Sequence, residues 1–277
     1  MIRVSHESPI ALLEKSLEYN DYQYCLVHLM EEQPQYQEWF LEKYKAMRPS
    51  GEILLDNSIF ELGHAFDQEK YIDWIRKINP NYYIVPDVLE DAEGTMESWE
   101  KFVSDYVGRP ECLRIGAVQG KTWKEISECY KFMSDKADYI AISFDFSYYQ
   151  ITGHGETKLE RYAYGRQHLI ERLVSEGIWN YRKPHHLLGA SLAREFSHYP
   201  GKYNIRSVDT SNPVVAGLMG YRYNGDQGLS HKPSQLLADL ITAQPNEDQV
   251  EDIVYNTTIF KHILGRFSSD LVLSFDD

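Results

Sequence analysis

Four polar residues each close a short apolar run. They stand in Leu54-Leu55-Asp56-Asn57-Ser58, Ile84-Val85-Pro86-Asp87, Ala117-Val118-Gln119-Gly120 and Ser207-Val208-Asp209-Thr210. Carboxylates gathered in one partly desolvated cleft repel each other, so their proton affinities separate. One can stay ionised as a nucleophile or base while another holds a proton to donate, which suits cleavage of a glycosidic bond. A lone Asp at a strand end is also a common cap for the following helix, and three carboxylates can instead hold a divalent cation. Asp56, Asp87, Asp209 and Gln119 are expected to face one pocket.

Bringing them together requires strands that end on one side of a sheet. Short apolar, β-branched or aromatic runs recur along the chain, each followed by a longer amphipathic segment, the pattern of parallel strands joined by helices. Strands are predicted over residues 24–29, 52–57, 82–87, 113–119, 139–145, 185–190 and 205–209, and helices over 35–47, 68–78, 94–107, 122–136, 159–176 and 192–198. Runs such as Ile53-Leu54-Leu55 and Tyr139-Ile140-Ala141-Ile142 are apolar throughout, as burial on both faces of a parallel sheet demands. No Gly-rich phosphate loop follows the first of these strands, which weighs against a dinucleotide-binding open sheet. The expected fold is therefore α/β, a (β/α)8 TIM-type barrel in a single domain, with its core over about residues 20–225. The eighth strand is placed at 214–223, where Gly217 and Gly220 interrupt it. Beyond it, within about residues 230–267, helices are predicted over 234–242 and 246–267, the second capped by Asn246.

With 43% hydrophobic residues, 13% aromatic residues and 21 Tyr, the 277-residue chain has material for a large core and lacks the signature of disorder. A net charge of −14 argues against a broad basic surface. Lys158, Arg161, Arg166 and Arg172, then Arg182, Lys183, Arg194, Lys202 and Arg206, leave room for a local basic groove. Cys25, Cys112 and Cys129 are too few and too scattered for a disulfide framework or a structural zinc site, which fits a reducing compartment. Neither a signal peptide nor a membrane-spanning run is visible, so the expected location is cytoplasmic, with no membrane partner. His154, His168, His185, His186, His198 and His231 lack the spacing of a zinc hydrolase and are expected as solvated or capping groups, with one of His185 and His186 facing the core or a neighbouring helix. No metal and no cofactor is expected.

Four segments, taken in order, carry a family resemblance. They are Leu54-Leu55-Asp56-Asn57-Ser58-Ile59-Phe60-Glu61, Gly116-Ala117-Val118-Gln119-Gly120, His185-His186-Leu187-Leu188-Gly189, and Val208-Asp209 through Pro213. Together they resemble the tRNA-guanine transglycosylase superfamily, most of all its DNA-modifying branch, the phage and bacterial DNA 7-deazaguanine transglycosylases. The resemblance implies that Asp209 is the nucleophile that attacks the sugar C1′ and expels guanine. Asp56 would be the acid/base for the leaving and incoming bases, and Asp87 and Gln119, with Gly120, Ser58 and Phe60, would bind the base. Phe60, Tyr148 and Tyr149 could sandwich its plane. The family's Gly-Gly-Leu-Ala element is replaced here by Ala141-Ile142-Ser143-Phe144, and the three-Cys-plus-His zinc element of the tRNA enzymes is missing. The implied partners are therefore guanine-containing DNA and a free 7-deazaguanine such as preQ0, with tRNA second. Exchange on RNA, a metal-dependent barrel hydrolase or aldolase, and a noncatalytic nucleic-acid-binding paralogue stand as alternatives.

Overall fold

The computed structural model describes residues 2–144, 146–190, 192–199, 201–225 and 236–269. Its strands are Arg3–His6 (β1), Gln23–Leu26 (β2), Ile53–Asp56 (β3), Tyr82–Ile84 (β4), Leu113–Val118 (β5), Tyr139–Ile142 (β6), His185–Leu187 (β7) and Ile205–Thr210 (β8). They form one sheet in the order β1-β8-β7-β6-β5-β4-β3-β2, and each described pairing is parallel. Strands alternating with helices in this order make the fold a (β/α)8 TIM-type barrel. The chain divides into two compact units: Tyr22–Ile142 carries β2 to β6, while Met1–Asp21 with Ser143–Asp277 carries β1, β7 and β8.

In the first unit every residue of β2, β3 and β6 is buried, which accounts for the apolar runs Ile53–Leu55 and Tyr139–Ile142 within them. Between β3 and β4 runs the helix Gln68–Ile78, whose first turn is capped by the Asp67 carboxylate accepting from Lys70 N–H. From this helix the buried Tyr71 hydroxyl reaches the carbonyls of Leu55 (3.2 Å) and Ile84 (2.7 Å), tying the ends of β3 and β4 to one point. Helix Ala92–Asp105 starts on Asp91, and helix Trp123–Lys136 on a reciprocal capping box between Thr122 and Glu125. Such caps fix where each helix begins, and therefore how the preceding strand-end loop is held. The run predicted at 24–29 stops being a strand at Leu26, because Val27–Glu32 is helical.

The second unit contains two corrections. Residues 214–223 are not a strand: Asn212–Leu218 is a helix with Pro213 in its first turn and every residue buried. A short run that is apolar all round reads alike as buried strand or buried helix, and only packing decides between them. The remaining strand is β1, outside the predicted core, which escapes a hydrophobicity scan because Arg3-Val4-Ser5-His6 has one aliphatic residue. It pairs with β8 from Arg3 opposite Ser207 to His6 opposite Thr210, and Val4 donates its N–H to the Asp21 carboxylate. The helix Lys158–Ser175 begins on a Thr157–Glu160 capping box, and residues 193–198 form a 3-10 helix. The last helix, Glu247–Ser269, starts where Asn246 accepts from Gln249 N–H, as the sequence predicts. Of the helix predicted over 234–242, the part Leu237–Leu240 is helical. Asp145, His231 and residues 234–235 lie outside the described residues.

Gly217 shows why the buried helix fits. A β-carbon there would lie 2.6 Å from the backbone nitrogen of Ile253 and 2.8 Å from its Cα, so the two helices touch through bare backbone. Gly217→Ala is expected to force them apart and cost about 1–3 kcal/mol of stability, measurable as a lower urea midpoint with an unchanged slope.

Candidate active site

In the first unit the loops after β3, β4 and β5 converge on Asp87, which is 3% exposed. Asn57 Nδ2 donates to one carboxylate oxygen at 2.7 Å and Gln119 Nε2 to the other at 2.5 Å. Neither amide is free to turn over, because each oxygen accepts from a backbone N–H: Asn57 from Ile59 at 3.0 Å, Gln119 from Glu90 at 2.9 Å. Glu90 presents that N–H from a left-handed conformation, φ 55°. Burial pushes the Asp87 carboxyl above its usual range, and the two amide donors act in the opposite direction by favouring the charged form. A buried carboxylate flanked by oriented donors still has lone pairs to offer a ligand that presents N–H groups.

Asp56 closes β3 and is also buried, with Oδ2 accepting from Ser58 N–H at 2.8 Å. Ser58 is fully buried in a left-handed conformation, φ 59°, and its hydroxyl accepts from His28 N–H at 3.3 Å. His28 sits in the helix that follows β2, and its Nδ1 is buried with no hydrogen-bond partner among the described residues. Burial lowers its proton affinity. Gly120 has a packing reason to be glycine, since a β-carbon there would lie 2.9 Å from Ile126 N. Phe60 is 56% exposed on the short helix Ile59–Leu62.

In the second unit β8 carries Asp209, 5% exposed, one residue before its end. His186 on β7 faces it, Nε2 to Oδ1 at 2.9 Å, while His186 Nδ1 meets Ser207 Oγ at 2.9 Å. A carboxylate only accepts, so the proton of the contact with Asp209 belongs on Nε2. Gly189 adds its backbone N–H to both Asp209 oxygens, at 3.2 and 3.1 Å. That glycine is left-handed, φ 61°, a conformation that turns its N–H toward Asp209 at no steric cost. His186, one of the pair of which the sequence places one toward the core or a neighbouring helix, is thus buried against the candidate nucleophile. Its neighbour His185 points the other way and stacks on Trp179 at 3.8 Å, with burial holding its pKa down at about 3. Alternation of side chains along a strand is the signal that separates the two.

Other candidates are committed elsewhere. Tyr149 is fully buried with its hydroxyl on Ser143 O, and Tyr148 is buried with its hydroxyl accepting from Arg172. Within the proposed basic groove, Arg166 is buried against Glu195, Arg172 pairs with Glu176, and Arg194 pairs with Glu160. Cys25, Cys112 and Cys129 are buried free thiols. Among the described residues no three His, Cys, Asp or Glu side chains are grouped to hold a metal ion, and no helix is long and apolar enough to cross a membrane.

No protein-family model matches the chain, and no curated protein matches it. Functional assignment therefore rests on the residues themselves.

Asp87 offers a direct test of the first cluster. Its folded pKa lies above the ordinary carboxylate value, so the folded state binds more protons in that window and stability falls as pH rises through it. Asn57→Ala removes a donor to the charged form, widening the window. The variant is expected to lose about 1–3 kcal/mol at neutral pH and less in mild acid, where the carboxyl is protonated. Chemical denaturation at the two pH values checks the stability, and carbon-13 NMR titration should show the Asp87 carboxyl moving further up.

Proposed function

We propose that the protein is a base-exchange enzyme, a transglycosylase that replaces guanine in DNA by a 7-deazaguanine. The observation that carries this reading is Asp209, a buried strand-end carboxylate whose Oδ1 is held by His186 and whose Oδ2 meets only the shared Gly189 N–H among the described residues. Oδ2 is the oxygen assigned to attack. It forms a bond to the sugar C1′ as the bond from C1′ to the base nitrogen breaks, and the electron pair leaves with guanine, which takes up a proton, the acid/base role that the family resemblance gives to Asp56. The incoming deazaguanine returns a proton to Asp56 and displaces Asp209 from C1′. Two displacements retain the configuration of the sugar. His186 and Gly189 donate to the carboxylate when it leaves, which lowers the barrier to the second step.

Asp87 supports the choice of base. Guanine and 7-deazaguanines carry a ring N–H beside an exocyclic amine, a donor pair that complements an acceptor-only carboxylate held in place by Asn57 and Gln119. DNA is favoured over RNA because the sequence lacks the zinc element associated with tRNA binding. Reaching C1′ in a duplex calls for flipping the nucleotide, at a cost of a few kcal/mol.

The purified protein incubated with guanine-containing DNA and labelled preQ0 is expected to incorporate label without added metal. Asp209→Ala should abolish both incorporation and a covalent adduct to the oligonucleotide, while Asp87→Ala should chiefly raise the KM for the free base. Incorporation into tRNA but not DNA would transfer the assignment to RNA. Absence of exchange in either polymer, or an Asp209→Ala variant as active as wild type, would reject it.

A further inference from the structure

Arg166 and Glu195 form a charged pair with side chains 0% exposed, and the chemistry assigned above uses neither. A buried ion pair costs desolvation that its Coulomb attraction barely recovers, so it is a poor device for stability alone. The guanidinium meets the Glu195 carboxylate side-on, Nε to Oε1 at 2.8 Å and Nη2 to Oε2 at 3.0 Å. Its other donors turn to the backbone: Nη1 reaches Leu188 O at 2.8 Å and Nη2 reaches Gly189 O at 2.9 Å. Tyr199 O–H donates to Glu195 Oε1 at 2.6 Å, and the guanidinium lies 5.0 Å over the Phe144 ring.

The two carbonyls belong to the turn whose Gly189 N–H bonds to Asp209. Gly189 is therefore gripped from both ends, its C=O by Arg166 and its N–H by the candidate nucleophile. At φ 61° the peptide on its N-terminal side could otherwise rotate with little steric penalty, because glycine has no β-carbon to resist it. The geometry points to Arg166 as a positioning residue: through the Leu188 and Gly189 carbonyls it fixes the Gly189 N–H that orients the Asp209 carboxylate, with Glu195 and Tyr199 holding the guanidinium in place. Only a planar fork of donors serves a carboxylate and two carbonyls together, so lysine is not an equivalent. The inference rests on the transglycosylase reading for its catalytic consequence, and on geometry alone for its effect on Gly189.

Two variants test it, each with two measurements. Arg166→Lys keeps the charge and loses the fork. The combined Arg166→Met, Glu195→Met, Tyr199→Phe variant removes the pair without stranding a buried charge, a replacement that folded proteins commonly tolerate. Amide hydrogen exchange at Gly189, with Val208 in β8 as the internal reference, is expected to speed up about tenfold or more in both. Formation of the covalent DNA adduct should slow about a hundredfold with an unchanged KM for DNA, as loss of one aligned donor implies. Unchanged Gly189 exchange in the combined variant, or adduct formation at the wild-type rate there, would overturn the inference. If wild-type protein forms no adduct the transglycosylase reading falls, and the Gly189 exchange rates still decide whether Arg166 sets the turn. An Arg166→Lys variant too unstable to purify leaves the decision to the combined one.

Discussion

Parallel pairing buries a strand on both faces, and a strand buried that way admits polar side chains only where hydrogen bonds wait for them. Along β3 the residues Ile53, Leu54 and Leu55 are almost wholly buried hydrocarbon, and Asp56 comes at the last position, where the chain turns and Ser58 N–H meets it. Toward the end of β8, Asp209 follows Val208 and finds His186 and Gly189. The carboxylates survive in a dry environment because the loops beyond the strands, and for Asp209 also His186 on β7, supply their donors. Those donors in turn depend on capped helices: the Thr122–Glu125 box starts the helix whose approach requires Gly120, immediately after Gln119.

The carboxylates are solved in different ways. Asp87 is met by two side-chain amides and pushed toward protonation by burial. Asp209 is met by an imidazole and a backbone N–H, donors that favour its charged form. Asp56 accepts a backbone N–H from Ser58 in its own turn. Unequal surroundings let chemically identical side chains take unequal roles.

Much of this was legible in the sequence. The runs ending in Asp56, Asp87, Gln119 and Asp209 are apolar because burial requires it, and helix starts at Asp67, Thr122 and Asn246 carry their caps in the residue type. Legibility failed where stability comes from partners distant in the chain. β1 has little hydrophobic signal because pairing with β8 and the Asp21 carboxylate hold it. The helix at Asn212–Leu218 is selected over a strand by contact with Ile253, some thirty-five residues later in the chain. His186 was hidden by its twin His185, and Arg166 was grouped with surface cations although its partners Glu195, Leu188 and Gly189 bury it completely.

The amides of Asn57 and Gln119 carry one more implication. Each is anchored at its oxygen by a backbone N–H, so the nitrogen end points at Asp87 whether or not anything is bound. The two amides thus have no rotamers left to freeze around Asp87, and the conformational entropy of aligning them is spent during folding. Toward any ligand, such a cluster presents a fixed polar template. A ligand that presented an acceptor to the Asp87 carboxylate would find neither amide able to swing round and accommodate it.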